Sequence, residues 1–203
     1  MTHTPPNAPD LPKEIKGQLM TRQQIAEAIS SERLPLPRAL DFVKNQSKLG
    51  NLIRFRGEPA WRPESAVIAG ILWAASEIGL RDHETRALIA RTCKAWKLPR
   101  NYDDLPPEAK KIDWPDRNPA VHAFHGYVAG YTGWRLELAT FVRDGIAEAR
   151  IDGRISCTSA SYVPEWDADP LEHEMRASLA IDLDPIFAHL IRPRYRPQGT
   201  ALN

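Results

Sequence analysis

The stretch that decides the fold is Trp61-Arg62-Pro63-Glu64-Ser65-Ala66-Val67-Ile68-Ala69-Gly70-Ile71-Leu72-Trp73-Ala74-Ala75-Ser76-Glu77-Ile78-Gly79-Leu80-Arg81-Asp82-His83-Glu84-Thr85-Arg86. Pro63 is suited to the first residue of a helix, where a missing N–H costs nothing. Val67, Ile68, Ile71, Leu72, Ala75 and Ile78 then recur at spacings of three and four, which predicts a helix to about Ile78 with one broad apolar face. Gly79 ends it. Asp82 is an N-cap for a further helix to about Trp96, carrying Ala87, Leu88, Ile89 and Cys93.

Upstream, Leu52 to Arg62 places Ile53, Phe55 and Trp61 around Gly57-Glu58-Pro59, the pattern of a short β-hairpin. Before it, Pro37 opens a helix with Ala39, Phe42, Val43 and Gln46 on one side, and Gly50 closes it. Earlier still, Thr21 and Gln24 have capping-box spacing. Met20 and Ile25 are placed as a hydrophobic staple for a helix from Arg22 to about Ile29. Ser30 to Pro35 separates these two helices.

Downstream, Lys97 to Pro119 contains five prolines and little apolar periodicity, apart from a short helical candidate at Pro106 to Ile112, and reads as a linker. Trp134, Leu136, Leu138, Thr140 and Val142 then alternate with Arg135, Glu137, Ala139, Phe141 and Arg143, the period of a strand. Asp152-Gly153 predicts a two-residue hairpin turn. Ala177, Leu179, Ile181 and Leu183 alternate again, and Pro185 starts a short last helix. The expected class is α+β: a mainly helical N-terminal part, then a small antiparallel sheet with short helices. The expected division is a flexible 1–18, a helical domain at 19–96, a linker at 97–119, an α+β module at 120–192 and a flexible tail at 193–203.

Composition excludes several classes. The 203 residues carry 27 Lys and Arg against 26 Asp and Glu, so global charge selects no partner. Ser65 to Ser76 is the longest uncharged apolar run, short of the roughly 18 residues of a membrane span. The polar, proline-rich Met1 to Pro12 resembles neither a signal nor a transit peptide, and a cytoplasmic protein with no membrane association is expected. Cys93 and Cys157 are too few for a disulfide framework.

The order helix, turn, helix, hairpin, helix, helix is that of a winged helix-turn-helix, and the Trp61–Arg86 stretch resembles the wing-to-dimer segment of the MerR family. An aromatic-Arg pair closes the wing, an apolar helix ends in Gly79-Leu80, and a capped helix with an acid-x-Arg element follows. Thr21 to Ile29 resembles the family's first helix, so the resemblance covers about residues 19–96. It departs from the family in the longer Ser30–Pro35 turn and in Pro99, which cuts short the dimerisation helix. The resemblance implies binding of double-stranded DNA, with the second helix in the major groove and the wing on the backbone. By that resemblance Arg38, Arg56 and Arg62 are the foremost contacts.

Charge agrees independently. From Thr21 to Arg62 there are eight cationic and four acidic side chains, a net +4, leaving −3 for the rest of the chain. Arg38, Lys44, Asn45 and Lys48 on the second helix present donors for base edges or phosphates. Arg54, Arg56 and Arg62 on the hairpin would neutralise phosphates. A monomer reads too few base pairs for specificity, so a homo-oligomer or protein partner is expected. The expected function is a dimeric transcriptional regulator. The alternatives are a non-catalytic protein-interaction adaptor and a phage- or plasmid-type architectural DNA-binding factor.

Other constellations read as structural. His122 and His125 have a spacing that can serve a metal, with Cys157 or His173 completing it, but the plainer reading is helix-end histidines around a core Phe124. Glu165, Asp167, Asp169, Glu172 and Glu174 surround His173 without a nucleophile and read as a solvated run. Phe124, Tyr127, Tyr131, Trp134 and Phe141 suit either an effector pocket or an ordinary core, and the core is favoured. No nucleophile elbow or phosphate-cradling loop is present, so neither enzymatic activity nor a cofactor is expected.

Overall fold

The computed structural model describes residues 19–53, 60–61, 64–94, 118–143, 149–159, 163–164, 166, 168 and 173–191. Helix α1 (Arg22–Ile29) starts with the capping box its sequence calls for: the Gln24 N–H donates to Thr21 Oγ1 at 3.2 Å, and the Thr21 N–H donates to Gln24 Oε1 at 2.7 Å. Just before it, Met20 pairs with Trp61 through two backbone hydrogen bonds of 2.8 and 2.9 Å. This pairing pins the chain entering α1 to the chain returning at Trp61, and both side chains are buried. Ser30 to Pro35 is an ordered turn, closed by reciprocal backbone bonds between Ser31 and Leu34 and by a fully buried Leu34.

Helix α2 (Leu36–Lys48) buries Ala39, Val43, Gln46 and Ser47. It stops at Gly50, whose φ of 72° suits glycine, and Asn51 turns back to bond Gln46 through both backbone and side chain. Ser65 Oγ is bonded to both the N–H and the carbonyl of Ile53, so the chain leaving toward residue 54 is tied to the next helix. Residues 54–59 and 62–63, which carry most of the expected hairpin, lie outside the described residues, as do residues 97–117 of the expected 97–119 linker and the two ends expected to be flexible; Asn118 and Pro119 of that linker begin a helix instead.

Helix α3 (Glu64–Glu77) is central: Ser65 to Leu72, Ala75 and Ser76 are all buried. A helix apolar nearly all round must be covered on several sides. It packs on α1, on α4 (His83–Lys94), on α5 (Pro119–Val128) and on α6 (Asp184–Ile191). Asp82 caps α4 by accepting from the Thr85 N–H at 2.7 Å. Asn118 caps α5, its Oδ1 accepting from Ala120 and Val121, with Pro119 as the first helical residue.

Strands β1 (Trp134–Arg143), β2 (Ala149–Cys157) and β3 (His173–Asp182) form an antiparallel sheet in the order β2-β1-β3. Asp184 locks α6 to the start of β1: its carboxylate accepts from the N–H groups of Gly133 (2.7 Å) and Trp134 (3.0 Å). With six helices and three strands among the described residues, the chain is α+β as its pattern predicts. Helices and sheet share one continuous apolar core. A methyl group at Gly70 of α3 would sit 3.0 Å from Ile186 of α6.

One reading of the second half needs correction. Asp152-Gly153 is not a turn. Ala139 pairs with Asp152 and Leu138 with Gly153 in mid-strand, and the reversal lies between Val142 and Ala149. Glycine is needed there because β2 presses on α4: a Cβ at 153 would collide with the Thr92 side chain. On β1, Ala139 and Phe141 are buried with Ala168, and the Phe141 ring meets Trp166 at a centroid distance of 5.4 Å.

Candidate nucleic-acid interface

At about 100° per residue, Lys44, Lys48, Asp41, Asn45 and Arg38 fall within an arc of about 120° on α2, opposite Ala39 and Val43. All five are exposed. The structure therefore brings Arg38, Lys44, Asn45 and Lys48 onto one solvent-facing stripe. From Arg38 to Lys48 it runs about 15 Å along the axis. Three cations against the single Asp41 leave the stripe positive.

The helix bearing this stripe is fixed at both ends. At its N-terminal side the Ser30 carbonyl meets His189 Nε2 of α6 at 3.0 Å, and Leu34 is sunk in the core. At its C-terminal side Lys94 Nζ of α4 donates to the Gly50 carbonyl at 2.9 Å. Partial burial lowers the Lys94 pKa, while the neighbouring Cys93 acts in the opposite sense. Arg22 is not part of the stripe: its guanidinium lies over the Trp61 ring, 5.5 Å from the centroid, in a cation–π contact. Trp61 is buried. Arg54, Arg56 and Arg62 lie outside the described residues. The chain runs out to residues 54–59 from Ile53, held on Ser65, and returns through Trp61, held on Met20.

Sequence reasoning missed the residues that hold α2 in place. Lys94 is 44 residues from Gly50 and His189 is 159 from Ser30, so no local pattern announces either contact.

The remaining candidates are built into the core. His122 is buried edge-on to Trp134, with ring centroids 5.5 Å apart. Burial, reinforced by the proximity of His125, pushes its pKa down to about 4, so the ring is neutral at neutral pH. No group of three potential metal ligands occurs among the described residues. Cys157 is buried with its thiol donating to the Thr132 carbonyl. Burial drives the Cys93 thiol up to about 12, which removes it from nucleophilic chemistry. Phe124 and Tyr127 pack against Phe187 at centroid distances of 5.6 and 5.7 Å, filling the centre of the core with rings. Of the acidic run, Glu165, Asp167, Asp169 and Glu172 lie outside the described residues, and Glu174 pairs with Arg176 at 2.8 Å. No described helix is long and apolar enough to cross a membrane.

No family model, curated protein or solved structure matches the chain.

Proposed function

We propose that this protein is a DNA-binding regulator of transcription that lays the outer face of α2 into the major groove. The observation that carries this reading is the α2 stripe: a cationic, hydrogen-bond-donating helix face left open to solvent while the helix itself is anchored at both ends. A reading element must be rigid, because ordering it on binding would cost affinity. Arg38 has the geometry to grip guanine O6 and N7 or a phosphate in bidentate fashion, and Asn45 suits adenine N6 and N7. Lys44 and Lys48 serve phosphates as mobile point charges. Arg54, Arg56 and Arg62 extend the same interface in the proposal.

Fluorescence anisotropy of a labelled duplex, titrated at several salt concentrations, tests the reading. Each phosphate contact contributes about 0.9 to the slope of log K against log salt. Replacing Arg38, Lys44 and Lys48 together with Gln should therefore reduce the slope by about 2.7 and weaken binding to all sequences. Asn45→Ala should leave the slope unchanged and relax base preference in fragments selected from a random duplex pool. Failure of the protein to retain DNA at low salt, or an unchanged slope in the triple variant, would rule the reading out.

A further inference from the structure

The midline of the α2 stripe is occupied by its one acidic residue. At about 100° per residue, Arg38 lies about 60° to one side of Asp41 and Lys44 about 60° to the other, with Lys48 and Asn45 about 20° and 40° away. Asp41 is exposed, as they are. Helix chemistry does not account for an acid there. Aspartate is a poor residue for a helix interior, and its charge favours only the first turn. Asp41 is the sixth residue of α2, whose first turn holds no acid. Among the described residues, no ion pair or hydrogen bond takes up its carboxylate, although Arg38 and Lys44 each stand one turn away.

We infer, on the premise of the DNA reading above, that Asp41 is a specificity-determining residue whose carboxylate accepts from the N4 amino group of a cytosine. A helix lying in the major groove turns its flanks toward the two phosphate backbones and its midline toward the base edges. Arg38 and Lys44 flank the stripe as a phosphate-facing pair would. A carboxylate on the midline is repelled by every phosphate. Being an acceptor only, it gains nothing from guanine O6 and N7 or from thymine O4. The base edges that offer it a donor are cytosine N4 and adenine N6. The adenine amino group lies beside the N7 acceptor of its own ring, which repels the carboxylate, whereas the cytosine amino group has a C–H on that side. Asp41 therefore penalises every site that lacks cytosine at one position, and specificity comes from that exclusion as much as from the bond itself.

Selection of bound fragments from a random duplex pool, followed by fluorescence anisotropy on the selected duplex, tests it. The wild type should select a C·G pair at one position, distinct from the one that Asn45→Ala relaxes, and any other pair there should weaken binding about tenfold. Asp41→Ala should lose that preference while binding duplexes of every sequence more tightly, because a repelled charge is gone. Asp41→Asn should move the preference from cytosine to adenine, whose N6 and N7 an amide meets in bidentate fashion. Circular dichroism of both variants should match the wild type, since the side chain is exposed. A general gain in affinity with base preference unchanged, or a wild type that selects another base at the position Asp41→Ala relaxes, would overturn the inference and leave the DNA reading standing. A wild type that retains no duplex at low salt would overturn both, so the two failures are told apart.

Discussion

Acid should destabilise this protein through His122 in a measurable and removable way. In the unfolded chain the imidazole takes up its proton near 6.5, and in the folded protein only near about 4, because it is buried against Trp134 and close to His125. Between those values the unfolded state holds the extra proton. The stabilising contribution is complete above pH 6.5 and is lost progressively as pH falls toward 4. The full interval corresponds to about 3 kcal/mol at 1.36 kcal/mol per pH unit, and about 2.5 kcal/mol is gone by about pH 4.5. Against a total stability of about 5–15 kcal/mol, that is a large share. Urea unfolding of the wild type and of His122→Gln at about pH 8 and about pH 4.5 measures it directly. The wild type should lose about 2.5 kcal/mol more than the variant between the two conditions. An equal loss in both proteins would show that His122 titrates normally and that its burial does not control acid stability.

Two further substitutions test the joints of the fold. Gly126→Ala, on α5, drives a methyl group into the buried Trp134 ring and should cost about 2 kcal/mol despite the better helix propensity of alanine. A melting temperature at or above that of the wild type would show that the helix and strand can separate there. Asp184→Ala strips the acceptor from the amides of Gly133 and Trp134 and should cost about 3 kcal/mol, whereas Asp184→Asn should retain part of it. Chemical denaturation of the two variants side by side separates the loss of the acceptor from the loss of charge.

What could be read from the sequence was local. Thr21 with Gln24, Pro37 with Gly50, and Asp82 ahead of Thr85 each declare a helix end through side chains within a few residues, and each is found there. The alternation of Trp134, Leu136 and Leu138 declared β1 for the same reason. Asn118-Pro119 is an equally strong start signal for α5. In sequence it merges with the proline-rich linker, because a helical proline at the first position looks like any other proline. Asp152-Gly153 misled because a turn preference worth a fraction of a kcal/mol yields to strand pairing and to the close approach of Thr92. In β3, alternation announced a strand but not its surroundings: Leu179 is exposed and Ile181 is buried on the same face. The candidate site followed the same rule. The stripe on α2 is a one-helix property and was visible, whereas Lys94 and His189, which hold it, are not.

The junction between His189 and Ser30 makes the last helix a strut under the helix-turn-helix. Ile186 rests on Gly70 in the middle of the bundle, and Asp184 ties the strut's other end to the sheet. The N-terminal helices are thus not a detachable unit. A fragment ending near residue 94 would lose both the bond that holds the C-cap of α1 and the apolar cover that α6 lays over α3.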